Sequence, residues 1–474
     1  MKNFIDIKRF TWLMVLFSGL AIMSCKKLIE IPANPVNEIP TSAVFADSTD
    51  IMSAVAGIYY NFNTSGSRTI TSGAITLDAG LSGDELVPSA TAGSTASQIY
   101  SNSILPNNGF TSTLWTTAYT SLYQINACLA GISANNTISA ALKQQLIGEI
   151  EVDRALYYFN LINLYGGIPL VTSTNYLTTE SLPRASVATV YSQILADLTD
   201  AQKKLKPNYP SSGHIRPNLY VADALLAKVY LFMGQWQNAE NAATSVINSG
   251  SYSLNTDLNT VYLDGSTEAI WQLPAKGTVF ETAEAFVLIP SQNLSTPATT
   301  IVPTYSLSSY LLNAFEAGDQ RLAKWTGKTS VTVKGVATTY YYAYKYKNLR
   351  ATSATTEDYM ILRLAEQYLI RAEAEAQLNN LSAALTDLNM VRNRAGLPNS
   401  TAVSQSDVLK AIMHERQIEL FCEWGNRWYD LKRTSTINTV LGTEKTDWKS
   451  TDAVYPVPLS EIQTNPYLVQ NPGY

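Results

Sequence analysis

Ala227 and Ala239 stand 12 residues apart, and so do Ala372 and Ala384. Around the first pair, Leu226, Tyr230, Gly234, Trp236 and Val246 fall where two short antiparallel helices would touch. The small alanines let the helix axes approach, Gly234 opens the tight turn between them, and Tyr230 and Trp236 fill the gap that remains. Around the second pair, Asn379, Leu381, Leu388 and Val391 repeat the frame, with Glu375 standing where Tyr230 stood. A helix pair of this kind cannot bury its apolar face alone, so neighbours must stack on it. The chain is therefore expected to be mostly α, with further helices completing the core.

The neighbours are legible as apolar stripes at helical spacing. Ile51, Val55 and Ile58 predict a helix over 48–62, and Leu114, Trp115, Ala118, Leu122, Ile125 and Leu129 predict one over 111–132. Leu146, Ile150, Tyr157, Leu161 and Leu164 predict a third over 140–165, stopped by Gly166-Gly167-Ile168-Pro169. Tyr191, Ile194, Leu198, Ala201 and Leu205 predict a fourth over 186–205, with Pro207 ending the run. The repeat spacing is that of a tetratricopeptide unit, so the expected fold is a set of tetratricopeptide-like helix pairs forming one superhelical body, with a few short strands. Residues 329–347 alternate and carry Tyr340, Tyr341, Tyr342, Tyr344 and Tyr346, which predicts a hairpin with one tyrosine face. Residues 64–110 and 264–306 lack helical period and are rich in Ser, Thr, Gly, Asn and Pro. Stretches of that length inside a compact protein are usually functional surface or disorder, so a loop-rich flank is the expected ligand face.

The amino terminus is an address. Lys2, Lys8 and Arg9 precede an apolar run from Phe10 to Met23, the pattern of a secretory signal. The run is too short for a span of about 20 residues. It ends at Ile22-Met23-Ser24-Cys25, which resembles a bacterial lipoprotein cleavage site, so residues 1–24 are expected to be removed and Cys25 to be lipidated. Each buried methylene of an acyl chain contributes about 0.8 kcal/mol, so several chains on one Cys hold a soluble body at a membrane. Lys26, Lys27, Leu28 and then Ile31-Pro32-Ala33-Asn34-Pro35 read as an extended leash. Cys128 and Cys422 could pair in an exported protein, but both sit in apolar context, which favours two buried thiols.

Composition narrows the function. Charged residues are 15% of the chain, against about 25% in a typical soluble domain, so neutral polar groups must finish the surface. A formal charge of −5 disfavours nucleic acid as a partner. Two histidines, His214 and His414, leave little for a metal centre, and no cofactor motif is present: Gly80-Leu81-Ser82-Gly83 and Gly166-Gly167 lack the phosphate-loop pattern. The 28 tyrosines suit sugar or peptide ligands as well as half-buried packing. Aromatic residues on the non-helical stretches are the candidate ligand contacts: Tyr100, Phe110, Phe280 and Phe286. Trp115, Trp236, Trp271 and Trp428 are assigned to packing.

Glu415, Glu419 and Glu423 lie four apart on one helix face, a spacing at which like charges repel by about 0.2–0.5 kcal/mol per pair. Arg416, Arg427, Lys432 and Arg433 are close enough in sequence to sit among them. One reading makes two of the carboxylates a hydrolytic acid/base pair. The other, preferred, is an ion-paired helix end with planar arginines bridging carboxylates. His214 reads as a loop residue near a helix start, and His414 as a partner for one of the acids.

Ordered motifs then resemble one known family, the SusD/RagB outer-membrane lipoproteins of Bacteroidetes. Arg154-Ala155-Leu156-Tyr157-Tyr158-Phe159 followed by Leu164-Tyr165-Gly166-Gly167-Ile168-Pro169-Leu170 is similar to its first helix signature. Pro183-Arg184-Ala185-Ser186-Val187, leading to Tyr191, Ile194, Asp197 and Leu198, is similar to its second. Phe315-Glu316 with Asp319 and Arg321 resembles the middle motif, and Glu415 to Arg433 the late one. Tyr455-Pro456-Val457-Pro458, Glu461-Ile462 and Gln470-Asn471-Pro472-Gly473-Tyr474 resemble the family's end. The resemblance implies an N-terminal region over 25–215 and a C-terminal region over 216–474 packed into one body. It implies a lipid-anchored, surface-exposed protein of the cell outer membrane that binds oligosaccharides or peptides. It also implies delivery to a SusC-type TonB-dependent transporter, without catalysis. A helical adaptor with no ligand but the transporter, and a secreted glycosidase, are the alternatives.

Overall fold

The computed structural model describes residues 44–62, 68–275, 281–291, 300–333, 335–349 and 356–474. Cys25 and Phe280 lie outside the described residues. The longer helices of the first half are α1 (Ser48–Phe62), α2 (Ala74–Ser82), α3 (Gly109–Ala134), α4 (Ala140–Tyr165), α5 (Val187–Lys204), α6 (Leu219–Phe232) and α7 (Trp236–Asn248). After them come α8 (Ala283–Leu288), α9 (Leu364–Gln377), α10 (Leu381–Arg394), α11 (Gln405–Glu419) and α12 (Asn426–Arg433). Six short strands, β1 (Leu86–Pro88), β2 (Ala269–Pro274), β3 (Tyr305–Leu307), β4 (Thr326–Val333), β5 (Val336–Ala343) and β6 (Asp358–Arg363), form three antiparallel pairs, β1–β3, β2–β6 and β4–β5. Among the described residues, no helix is long and apolar enough to cross a membrane.

The abundant Ser, Thr and Asn residues find a use at helix starts. The side chains of Asn108, Ser139, Ser186, Asn218, Thr282 and Ser404 accept from backbone N–H groups at the starts of α3, α4, α5, α6, α8 and α11. Each such cap is worth about 1 kcal/mol and needs no charge, which is how a chain with few ionised residues still defines its helix ends. The helices stack in sequence order: α3 on α4, α4 on α5, α5 on α6, and α6 on α7. The α6–α7 pair then packs through α7 on α9, which carries α10 and α11, so the two predicted repeats are neighbours. Between α6 and α7, Gly234 holds φ +68, a left-handed turn that a side chain would strain. Glu375, where the second copy departs from the first, is nearly buried, and its carboxyl is pushed up to about 7 by burial and by nearby Asp387.

The hairpin is present as β4–β5, with Tyr340 opposite Thr329 and Tyr342 opposite Gly327. A Cβ on Gly327 would fall 2.2 Å from the Tyr342 ring, so the glycine makes room for that ring to lie inward. Trp115, Trp271 and Trp428 are buried, whereas Trp236 is half-buried at the edge of its pair. Cys128 and Cys422 are free, buried thiols. The two stretches without helical period are more ordered than expected: 64–110 contains α2, β1 and a helix at Thr95–Tyr100, and 264–306 contains β2, α8 and β3. Their helices are short, and in Ala74–Ser82 every residue is buried, so no amphipathic stripe marked them.

Candidate functional site

β1 and β3 join the two non-helical stretches. Leu86 pairs with Leu307 and Pro88 with Tyr305, while Ser89 N–H donates to the Thr304 carbonyl at 2.9 Å and Ser308 N–H to the Glu85 carbonyl at 2.9 Å. Beside this ribbon lies a cleft of about 340 Å³, lined by Arg68, Ser72, Gly73, Leu77, Phe110, Phe286, Val287, Thr304 and Tyr305 among others. Two of the four sequence-derived aromatic candidates, Phe110 and Phe286, are thus brought into one cleft from positions 176 residues apart.

Each wall has a local cause. The Asn108 side chain accepts from the N–H groups of Phe110 and Thr111, which starts α3 and fixes the Phe110 backbone at the rim. Phe286 rides on α8, capped by Thr282, and is 41% exposed, an uncovered apolar ring in a chain that buries most of its large apolar side chains. Gly73, at φ +77, lets the chain turn into α2 against the Glu284 carboxyl, 3.1 Å from where a Cβ would stand. Glu284 is buried, accepts from the Thr76 hydroxyl at 3.3 Å, and is pushed up to about 7 by burial.

Arg68 was not among the candidates, yet it sets the polarity of the cleft. Its guanidinium carbon lies 3.6 Å from the Phe110 ring centroid, stacked on that ring. One nitrogen, Nη2, donates to the buried Asp78 carboxylate. Burial raises the Asp78 carboxyl above its ordinary range, and Arg68 opposes that shift. The side chain of Arg68 remains 21% exposed and lines the cleft. Tyr305 adds a nearly buried ring whose hydroxyl is pushed up by burial. The site therefore offers an open aromatic face, a planar cation already balanced by a carboxylate, and small hydroxyl side chains. That is a binding chemistry for a ligand with apolar faces and a polar rim. A lone arginine in the Ser/Thr/Gly run around Arg68 was the one sequence signal that could have flagged it.

Tyr100 lies elsewhere. Lys445 Nζ stands 5.0 Å from its ring centroid and donates to its carbonyl at 2.7 Å, and also to the Leu81 and Ser82 carbonyls at 2.8 Å each. The residue anchors the chain behind the cleft and does not line it.

The glutamate row of α11 and the turn after it is a closed ionic core. Arg321 Nη1 donates to Glu415 and, at 2.9 Å, to Glu419; Arg363 bonds Glu419 and Glu423; Arg394 bonds Glu419 and Glu268; Lys345 bonds Glu423. Arg392 reaches Glu415 at 3.3 Å and Glu316 at 2.6 Å. The cations expected from the adjacent sequence are used differently. Arg416 and Arg433 bind Asp430, Arg427 binds Asp84, and Lys432 donates to the Asn163 carbonyl. A helix face can only be neutralised by groups that the fold sets opposite it, and those come from the helix Gln320–Trp325, from β6 and α10, and from Lys345 just after β5. Burial pushes the Glu419 carboxyl up, but Arg394, Arg363 and Arg321 outweigh it and hold the group well below the ordinary range. Glu419 is buried, bonded by three guanidinium groups and held ionised, so it has no proton to give, and the row is ion-paired as the preferred reading had it. His414 Nε2 lies 3.5 Å from Glu316, which is outside its own helix, rather than beside an acid of α11. No group of three or more His, Cys, Asp or Glu side chains among the described residues is arranged to hold a metal ion.

Comparison with known proteins adds three findings. A family model described as "SusD family" matches residues 302–474, and one described as "Starch-binding associating with outer membrane" matches residues 47–231. The chain is 26% identical to "SusD-like protein P2" of Formosa agariphila over 513 aligned positions, covering 96% of this chain and 98% of the relative. A SusD superfamily protein from Bacteroides vulgatus superposes with a TM-score of 0.77 at 20% identity, covering 91% of this chain and 100% of the other. A structure described as a laminarin binding SusD-like protein superposes with a TM-score of 0.75 at 24% identity, covering 90% and 100%.

Proposed function

The chain is a SusD-like family member, and from that premise we propose that it captures glycan for nutrient uptake at the outer membrane. The observation that carries this reading is the cleft in which Phe286 stands open beside the stacked Arg68 and Phe110. A pyranose ring laid on Phe286 would keep its apolar face dry, and its hydroxyls would meet Arg68 and the hydroxyl of the exposed Thr304. SusD-like proteins are binding proteins, and this one is proposed to act without turnover. Support comes from the relative described as laminarin binding and from the family description that couples starch binding with the outer membrane. Regions 25–215 and 216–474 are proposed to work as one body, because the cleft takes walls from both. The proposal includes anchoring through acyl chains on Cys25, display at the cell surface, and hand-over to a SusC-type TonB-dependent transporter.

Isothermal titration calorimetry with laminarin and starch oligosaccharides tests the binding step. Saturable binding by the wild-type chain, weakened about 5- to 30-fold in Phe286→Ala with folding intact and with no release of reducing ends, is the expected result. Peptides that bind in place of sugars would move the ligand class. Uptake that is unchanged by Phe286→Ala would favour the adaptor reading.

A further inference from the structure

A second polar cleft lies away from the first and shares no lining residue with it. It has a volume of about 300 Å³, within the size range of small-ligand pockets, and sits where the chain leaving α7 meets β2 and the turn before α6. His214, Ser251, Tyr252, Ser253, Thr267 and Gln272 are among its walls. Among the described residues that line it, none carries a charge.

Three features make this more than a gap between elements. His214 holds φ 54, a left-handed backbone that a side-chain-bearing residue adopts only under constraint. Its ring is locked in place: stacked on Tyr209 at 4.1 Å and 14°, edge-on to Tyr252 at 5.9 Å, with Nδ1 2.6 Å from the Ala269 carbonyl. A carbonyl can only accept, so Nδ1 carries a proton, and in the neutral ring it is Nε2 that holds the lone pair. Gln272, 1% exposed, donates through Nε2 to the Gly213 carbonyl at 3.1 Å, while its buried Oε1 has no partner among the described groups. An amide oxygen left bare in a buried position is costly, and it sits at a cleft wall that could be served by an incoming donor.

The buried unpartnered group is thus an acceptor, Oε1 of Gln272, and the His214 ring and the exposed side chains of Ser251 and Ser253 line the same cleft. The complement is a ligand that brings several O–H donors and no net charge. An anion finds no cation here, and an ammonium finds no carboxylate. We propose that this cleft is a second binding site, for one uncharged sugar ring, read through its hydroxyls by His214 and Gln272. The site stands on its own geometry and does not depend on what the cleft at Phe286 binds.

The experiment uses the full soluble chain with ¹³C-labelled histidine. His214 and His414 are the only two histidines, so the Cε1–H region holds one resonance from each, and His414→Gln assigns them. The probes are methyl β-D-glucopyranoside, methyl α-D-mannopyranoside and N-acetylglucosamine, with inorganic phosphate as the charged control. The expected result is a saturable shift of the His214 resonance with at least one sugar, half-complete at about 1–10 mM as suits so small a ligand. Ser253→Trp, at an exposed position, should raise that concentration at least tenfold, and Thr267→Tyr serves if the first variant misfolds. Phe286→Ala should leave it unchanged. No shift with any of the three sugars, a shift that survives both blocking variants, or a response to phosphate alone would overturn the proposal.

Discussion

The Phe286 cleft and the ionic core beneath α11 are built from the same parts, arginines laid against aromatic rings beside buried acids, and they differ in how far the pairing is completed. In the core, Lys345 lies 4.1 Å from the Phe421 centroid and Arg363 and Arg394 sit within 6 Å of Trp325, but every one of these cations also meets a carboxylate. In the cleft, Arg68 meets one carboxylate, one ring and then solvent. In the core the charges are matched cation to acid out of reach of solvent. Incomplete pairing leaves the cleft with donors to offer. Groups perturbed by burial occur both in the core and at the cleft, so a shifted pKa alone does not tell the two regions apart.

The largest expected effect tests the core. Glu419→Ala leaves Arg321, Arg363 and Arg394 facing each other without their shared acid and should cost about 3–5 kcal/mol in denaturant unfolding. A variant that kept its unfolding midpoint but lost glycan affinity would dissolve the distinction drawn between the two regions.

Next in size is a pH effect at the back of the cleft. The Glu284 carboxyl sits at about 7 in the fold, above its ordinary value near 4.5, because of burial. The folded state thus holds its proton more tightly, so the stability linked to it is full below about pH 4.5 and is lost as the pH rises to about 7. Glu284→Gln should gain about 1–3 kcal/mol over the wild type at pH 8 compared with pH 4.5, read from paired unfolding curves. An unchanged difference between the two pH values would show that the carboxyl is not held neutral.

Phe286→Ala is expected to weaken glycan binding by about 1–2 kcal/mol while moving the melting temperature little, since the ring is already half in solvent. Equal loss of stability and affinity would place Phe286 in the core with the other rings. The smallest effect belongs to Arg68→Met, which keeps apolar cover on Phe110 and removes the donor edge; a loss of about 0.5–1.5 kcal/mol in binding is expected. No change in calorimetric affinity would assign Arg68 to holding Asp78 alone.

The long helices could be read from spacing and caps. The stripe from Leu146 to Leu164, with Gly166 after it, gives the observed Ala140–Tyr165, because a 3.6-residue period and a stop signal are local properties. Val187–Lys204 and the two alanine-anchored pairs are legible for the same reason. The short buried helix Ala74–Ser82 was not, since it has no polar face to set a period. Phe110 and Phe286 could be named as candidates because they were aromatic and off the helical stripes. Tyr100 met the same description and faces Lys445 instead.

The amino-acid order alone determined a stack of capped helices, the repeat that makes them pair, and the places where regular packing must break. Tertiary structure decided which broken places meet. The β1–β3 ribbon brings Thr304 and Tyr305 beside Arg68, and the stacking of α9 to α11 chooses distant arginines for Glu415, Glu419 and Glu423. The physical reason is range: helix period and capping act over a few residues, whereas an ion pair or a ring contact forms with whatever charge or surface the completed fold sets within a few ångströms.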